Sequence, residues 1–238
     1  MAIAEIQSRR NLSLQEIEDL AAEFEPGPPE TVLRWANEEF GSDVALATGF
    51  GPEGCVLIDM LAHMGQQTRI FYLDTDLHFA ETYSLIRQLE TRYGVSLERR
   101  ATQLTLTAQE QAFGAKLWER DPDRCCQLRK VDPLVETLAD LQAWITAIRR
   151  DQSPVRAGAK VIERDRKFGL IKINPLARWS TVEVWKYIFK HNVPYNELHD
   201  QGYPSIGCVP CTTQVQQGED PRAGRWRGAM KTECGLHQ

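Results

Sequence analysis

Apolar residues recur at helical spacing through "LSLQEIEDLAAEF", and "PPETVLRWANEEF" opens with prolines suited to a helix N-terminus, so residues 1–40 read as helical. The period then changes. "VALAT", Val44 to Thr48, is a short apolar run of the kind buried on both faces, and a glycine-rich turn follows it. A helix is predicted from about Pro52 to Met64, closed by Gly65. "RIFYLDTD" is a second buried strand, and "AETYSLIRQLETRYG" is a helix with Gly94 at its C-terminal end. "VSLERR" and "AWITAI" are further strand candidates. Strands alternating with helices predict an α/β fold, a doubly wound parallel sheet covered on both faces. Such sheets bind ligands beyond the carboxyl ends of their strands, so the loops after Thr48, Leu73 and Ile148 are expected to share a cleft. "WSTVEVWKYIFKHN" starts with Ser180 and Glu183, a capping-box spacing. Periodicity then fades into a loop rich in Gly, Pro, Asn and Asp that contains two cysteines, which favours a functional loop. The organisation expected is an N-terminal helical segment (1–40), an α/β region (41–207), and a cysteine-containing loop and tail (208–238) belonging to the same domain.

Composition narrows the class. At 42% hydrophobic and 26% charged residues, the chain is that of a soluble globular protein. A net charge of -5 argues against a general nucleic-acid binder but allows a local anion site. No stretch approaches a membrane span, and the first residues lack the uninterrupted apolar segment of a signal peptide. A cytoplasmic location is therefore expected, where thiols stay reduced. In that setting six cysteines point to metal ligation or catalysis rather than to three disulfides.

Cys125 and Cys126 are adjacent, and a bridge between neighbours strains the ring it closes. "CVPC" adds Cys208 and Cys211, 82 positions beyond Cys126, and four thiolates complete a ligand set for tetrahedral zinc or for a [4Fe–4S] cluster. Two buried thiols beside an unrelated redox dithiol are the alternative. "TGFGPEG" follows a strand and starts a helix, where Gly49, Phe50 and Gly51 can offer backbone N–H groups to phosphate or sulfate. It lacks the Lys-Ser/Thr ending of a nucleoside triphosphate loop. Basic residues gather in three loops: Arg129 and Lys130; Arg149, Arg150 and Arg156; and Arg222, Arg225, Arg227 and Lys231. Together they suit a polyanion, though any one run alone would be a solvated face. In "KTECGLHQ", Lys231 and His237 lie near Cys234 and favour its thiolate. Cys55 reads as core packing.

Taken together, "CC", "SIGCVPC", "GRW" and "ECGLH" resemble the assimilatory adenylyl-sulfate reductases, and "LDTD…ETY", "LRK", "RRDQSP" and "PYNELH" look like segments of the same family. The resemblance covers nearly everything after residue 40. It implies a fold like that of the adenine-nucleotide alpha hydrolases. It implies a [4Fe–4S] cluster on Cys125, Cys126, Cys208 and Cys211, placed near the sulfate and not itself the electron donor. It implies attack of Cys234 on adenylyl sulfate, release of AMP, and reduction of the resulting S-sulfocysteine by thioredoxin or a glutaredoxin-like dithiol. Lys130, Arg149 or Arg150, Arg222 and Arg225 would bind phosphate and sulfate, with His237 over the substrate when the tail closes. Homo-oligomerisation is left open. One stretch departs from the family: in "TGFGPEG", Phe50 stands where a serine is usual and Gly54 where an aspartate is usual. That leaves the 3'-phosphorylated nucleotide as the alternative substrate. Reductases for that substrate usually lack the four cluster cysteines, which favours adenylyl sulfate. An ATP pyrophosphatase or sulfur-transfer enzyme of the same fold is the further rival, but its Ser-Gly-Gly-x-Asp-Ser loop is missing.

Overall fold

The computed structural model describes residues 12–228, Lys231 and residues 233–236. Two helices come first, α1 (Leu14–Phe24) and α2 (Pro29–Phe40). The first is fixed by a capping box. Ser13 Oγ accepts the Glu16 N–H at 3.2 Å, and the Glu16 carboxylate accepts the Ser13 N–H at 2.8 Å. The chain then alternates: β1 (Val44–Thr48), α3 (Pro52–His63), β2 (Arg69–Leu73), α4 (Ala80–Tyr93) and β3 (Leu97–Arg100). Gly94 ends α4 with φ 63°, a left-handed conformation that glycine adopts without a Cβ penalty. Short helices follow: α5 (Leu106–Phe113), α6 (Leu117–Arg120), α7 (Pro122–Cys126) and α8 (Asp132–Leu138), the last two joined by a π-helical turn at Gln127–Val131. Then come β4 (Ala143–Ile145), β5 (Ile162–Arg164), β6 (Ile171–Ile173) and α9 (Thr181–His191). The predicted box of Ser180 and Glu183 caps α9.

Among the described residues the strands form one sheet in the order β3-β2-β1-β4-β6-β5. Every pairing is parallel except β5 with β6. The strand residues divide by the two-residue period of a pleated strand. Val44, Leu46, Ile70, Tyr72, Ala143 and Ile145 join the core beneath α1 to α4 and α9. Ala45, Phe71 and Trp144 point the other way, against Leu134 and Leu138 of α8. Both faces are thus covered, as a parallel sheet requires. The antiparallel hairpin departs from the all-parallel expectation. Its strands carry polar residues, and Lys172 is buried over the Trp144 ring at 5.6 Å with Glu163 3.6 Å away. Parallel pairing of β1, β2 and β4 brings the loops after all three to one edge. No helix among the described residues is long and apolar enough to cross a membrane.

Candidate active site

Two segments far apart in sequence build one pocket. Asp121 starts α7 by accepting the Arg124 N–H at 2.8 Å, and Pro122 follows where no N–H is needed. Cys125 and Cys126 close that short helix, both buried. One turn later come Arg129 and Lys130, in the π-helical turn. π-Turns recur at functional sites because they re-aim side chains within a helix. Arg129 is 1% exposed and donates to Gln109 Oε1 (2.7 Å), Thr75 O (2.9 Å), Asp76 Oδ2 (3.1 Å) and Leu104 O (3.1 Å). It pins α5 and the loop after β2 to the helix that carries the cysteines.

The second segment crosses that same loop. The Val209 N–H donates to Leu77 O at 2.8 Å, and Thr75 Oγ1 lies 3.3 Å from Cys208 Sγ. Pro210 sits in a tight turn, in which the Cys211 N–H donates to Cys208 O at 3.0 Å. Cys125, Cys126, Cys208 and Cys211 consequently line one small cavity of about 10 Å³ with Lys130 and Trp226. None is in a disulfide. Burial, and then the neighbouring thiols, push Cys125 up to about 12 and Cys211 up to about 11. Burial also raises Cys126. Burial thus favours the neutral thiol at Cys125, Cys126 and Cys211. Burial works against the Lys130 ammonium, but Cys208, Cys234 and Cys126 outweigh it and hold its pKa up. Among the described residues, no three Cys, His, Asp or Glu side chains are disposed to bind a metal ion as they stand. The donor set nonetheless fits a thiolate-held cluster in chemistry and number: four free thiols, two from each segment, converging on one cavity.

Cys234 is half-buried, within electrostatic reach of Lys130, Cys126 and Arg222. Its neighbours are anchored. Glu233 is 6% exposed and accepts from Arg156 Nη2 (3.0 Å) and Ser153 Oγ (3.3 Å), with Arg222 Nη2 at 3.1 Å. Lys167 Nζ donates to Gly235 O, and Leu236 packs against the apolar cluster around Trp144. Lys231 pairs with Asp123 and lies over the Trp226 ring. Arg225 rests on that ring at 4.5 Å, against Gly207, where a Cβ would meet its Nη2 at 2.2 Å. The buried Nε atoms of Arg156 and Arg225 have no hydrogen-bond partner among the described residues.

Several expected residues therefore meet: the four cysteines, Lys130, Arg222, Arg225 and Cys234. Arg149 and Arg150 do not join them. Arg149 donates to Glu53 Oε1 (2.8 Å), Trp179 O (3.1 Å) and Thr181 Oγ1 (3.0 Å), and pairs with Asp151. Arg150 forks onto Glu25 at 2.6 and 2.9 Å. Gly49, Phe50 and Gly51 form the turn between β1 and α3. Phe50 is buried at φ 59°, its ring 5.1 Å from Tyr72 and edge-on, while Gly49 remains exposed. At Gly54 a Cβ would meet Thr48 Oγ1 at 2.5 Å, so the threonine fills the space an aspartate would need. Cys55 is core, as read. His237 lies outside the described residues. Arg156 stood in a recognised basic run but was not singled out. Thr75, Trp226 and Glu233 were missed, although Glu233 is Cys234's direct neighbour in "ECG".

Comparison with known proteins follows the same lines. Residues 43–214 match the model of the phosphoadenosine phosphosulfate reductase domain. The adenosine 5'-phosphosulfate reductase of Salinibacter ruber is 50% identical over 238 residues, covering 100% of this chain and 94% of the relative. Adenosine 5'-phosphosulfate reductase 2 of Bacillus subtilis is 49% identical over 208 residues, covering 87% of this chain and 88% of the relative. Among solved structures, phosphoadenylyl-sulfate reductase from Candida auris, a phosphate complex, superimposes with a TM-score of 0.78 at 32% identity, covering 87% of this chain and 100% of that one. FMN adenylyltransferase of Candida glabrata shares the fold at a TM-score of 0.58 and 15% identity, covering 89% of this chain and 73% of that one.

Proposed function

The chain belongs to the phosphoadenosine phosphosulfate reductase family, and from that premise we propose that it reduces adenylyl sulfate (adenosine 5'-phosphosulfate) to sulfite and AMP, with Cys234 as the nucleophile. The observation that carries the reading is the meeting of a half-buried thiol with Lys130 and an arginine clamp beside the four-cysteine pocket. The thiolate is the attacking form of a cysteine. The Arg156 and Arg225 forks, whose Nε–H groups have no partner among the described residues, suit the oxygens of sulfate and phosphate.

In the proposed reaction the Cys234 thiolate attacks the sulfur of adenylyl sulfate. The S–O bond to phosphate breaks, and AMP carries the electron pair away. The enzyme keeps an S-sulfocysteine. A thiolate of thioredoxin or a similar dithiol then attacks the Cys234 sulfur, releasing sulfite and leaving a mixed disulfide that the partner's second thiol resolves. Arg156, Arg222 and Arg225 orient the anion; in the turn at Gly49 the Phe50 N–H is held by Thr48 Oγ1 at 3.1 Å, so the flanking Gly49 and Gly51 N–H groups are the candidates for phosphate. Cys125, Cys126, Cys208 and Cys211 would hold a [4Fe–4S] cluster, which would supply structure and local charge rather than the reducing electrons. The names of the relatives at about half identity favour adenylyl sulfate over its 3'-phosphorylated form.

Mass spectrometry after mixing with adenylyl sulfate, without any dithiol, tests this. One sulfonate should appear on the peptide following Lys231, and none in Cys234→Ser. An adduct on another cysteine, or sulfite made by the variant, overturns the assignment. Sulfite assays with both nucleotides side by side should favour the unphosphorylated one.

A further inference from the structure

The segment that carries Cys234 is held by the groups that would bind the substrate's anion. Glu233 is the carboxylate in question. It is 6% exposed, 3.0 Å from Arg156, 3.1 Å from Arg222 and 3.3 Å from the Ser153 hydroxyl. Two guanidinium groups and a hydroxyl around a buried anion are what a sulfate or phosphate group would also need. Both arginine side chains are themselves mostly buried, at 11% and 21% exposed, so the clamp has little room for two anions at once. Like charges a few ångströms apart in a poorly solvated site repel strongly.

We infer that Glu233 is a tethered competitor for the Arg156–Arg222 clamp. When the clamp carries no substrate, the carboxylate fills it and holds Cys234 down. An entering sulfate or phosphate takes the guanidinium groups, expels the carboxylate, and releases the segment so that the thiol can re-seat over the bound nucleotide. The remaining anchors, Lys167 on Gly235 O and Leu236 in its apolar seat, keep the thiol nearby during this exchange. The inference rests on the proposed reading of the clamp as the substrate's anion site.

The sign of one binding change separates competition from simple positioning. A site available only in the fraction of molecules with the latch open binds ligand more weakly by that fraction. Glu233→Gln preserves shape and removes the charge. Titration of the full-length protein with AMP should therefore give a Kd about three- to tenfold lower in Glu233→Gln than in wild type. Iodoacetamide labelling of Cys234, followed on the peptide after Lys231, should rise at least about threefold in the variant without ligand. An unchanged or weaker Kd for AMP overturns the inference, since a positioning residue would have that effect. If AMP binds neither protein, the anion-site reading fails. The latch is then judged by labelling alone: a rise in Glu233→Gln supports it, and an unchanged rate refutes it.

Discussion

Replacing Arg129 by methionine should cost this protein a large part of its stability, although no substrate atom need touch the residue. The guanidinium is 1% exposed and has four partners: the Gln109 amide oxygen, the Thr75 and Leu104 carbonyls and the Asp76 carboxylate. Methionine fills much of the volume but donates nothing. Gln109 is 2% exposed, so its amide oxygen loses its partner out of reach of water, while Asp76 is partly solvated and loses less. Removing one member of a buried hydrogen-bonded set costs about 1–3 kcal/mol per stranded group, and broken buried pairs cost about 3–5 kcal/mol. We expect about 4 kcal/mol for Arg129→Met, a Tm lower by roughly 8–16 °C for a chain of this size. Arg129→Lys keeps the charge but replaces the fork with a single ammonium, and should lose about 2 kcal/mol. Arg124→Met is the control, an exposed arginine over the Phe113 ring at 5.4 Å, expected to change stability by under about 1 kcal/mol. Urea and thermal unfolding of the three variants measure this. If Arg129→Met loses no more than the control, Arg129 does not hold the cysteine helix to the loop after β2 as described.

Serine in place of Cys125, Cys126, Cys208 or Cys211 should each lower bound iron and sulfite production together; unchanged iron content in any one removes that residue from the ligand set. His199 should make stability pH-dependent, because burial lowers its pKa and its Nε2 has no partner among the described residues. The unfolded chain takes up a proton near pH 6.5 that the folded chain refuses, so this contribution is fully present above about 6.5 and is lost as pH falls below it. Thermal melts at pH 7.5 and 5.5 should show a smaller difference in His199→Phe than in wild type, and an equal difference would discount the histidine.

How far the fold could be read depended on how local its cause was. Val44–Thr48 was legible because a parallel strand buried on both faces is a plain apolar run. Gly94 and the Ser180–Glu183 box were legible because caps act within a few residues. The β5–β6 hairpin was not: Glu163, Arg164 and Lys172 hide it, and Lys172 is accommodated by Trp144 on another strand. The site divides in the same way. Four cysteines, an adjacent pair and a CVPC pair, stand out as candidate ligands by type and spacing. The arginines do not announce their partners. Arg149 is committed to Glu53, 96 positions away, and Arg150 to Glu25, 125 positions away. In the sequence these two were indistinguishable from Arg156, which does face the thiol segment.

The four-cysteine pocket also sets an order of events during biosynthesis. Cys125 and Cys126 are made 83 and 82 residues before Cys208. At a synthesis rate of about 5–20 residues per second, that is roughly 4–16 s in which the nascent chain carries two adjacent thiols without their counterparts. α7 can form in that interval, but the wall supplied by Val209–Cys211 does not yet exist. Anything that needs all four sulfurs can be loaded only after translation has passed residue 211, and until then the first pair depends on the reducing power of its surroundings. A cell that makes this chain faster than it can keep thiols reduced would accumulate correctly translated chains whose first pair of cysteines has been oxidised before its counterparts exist.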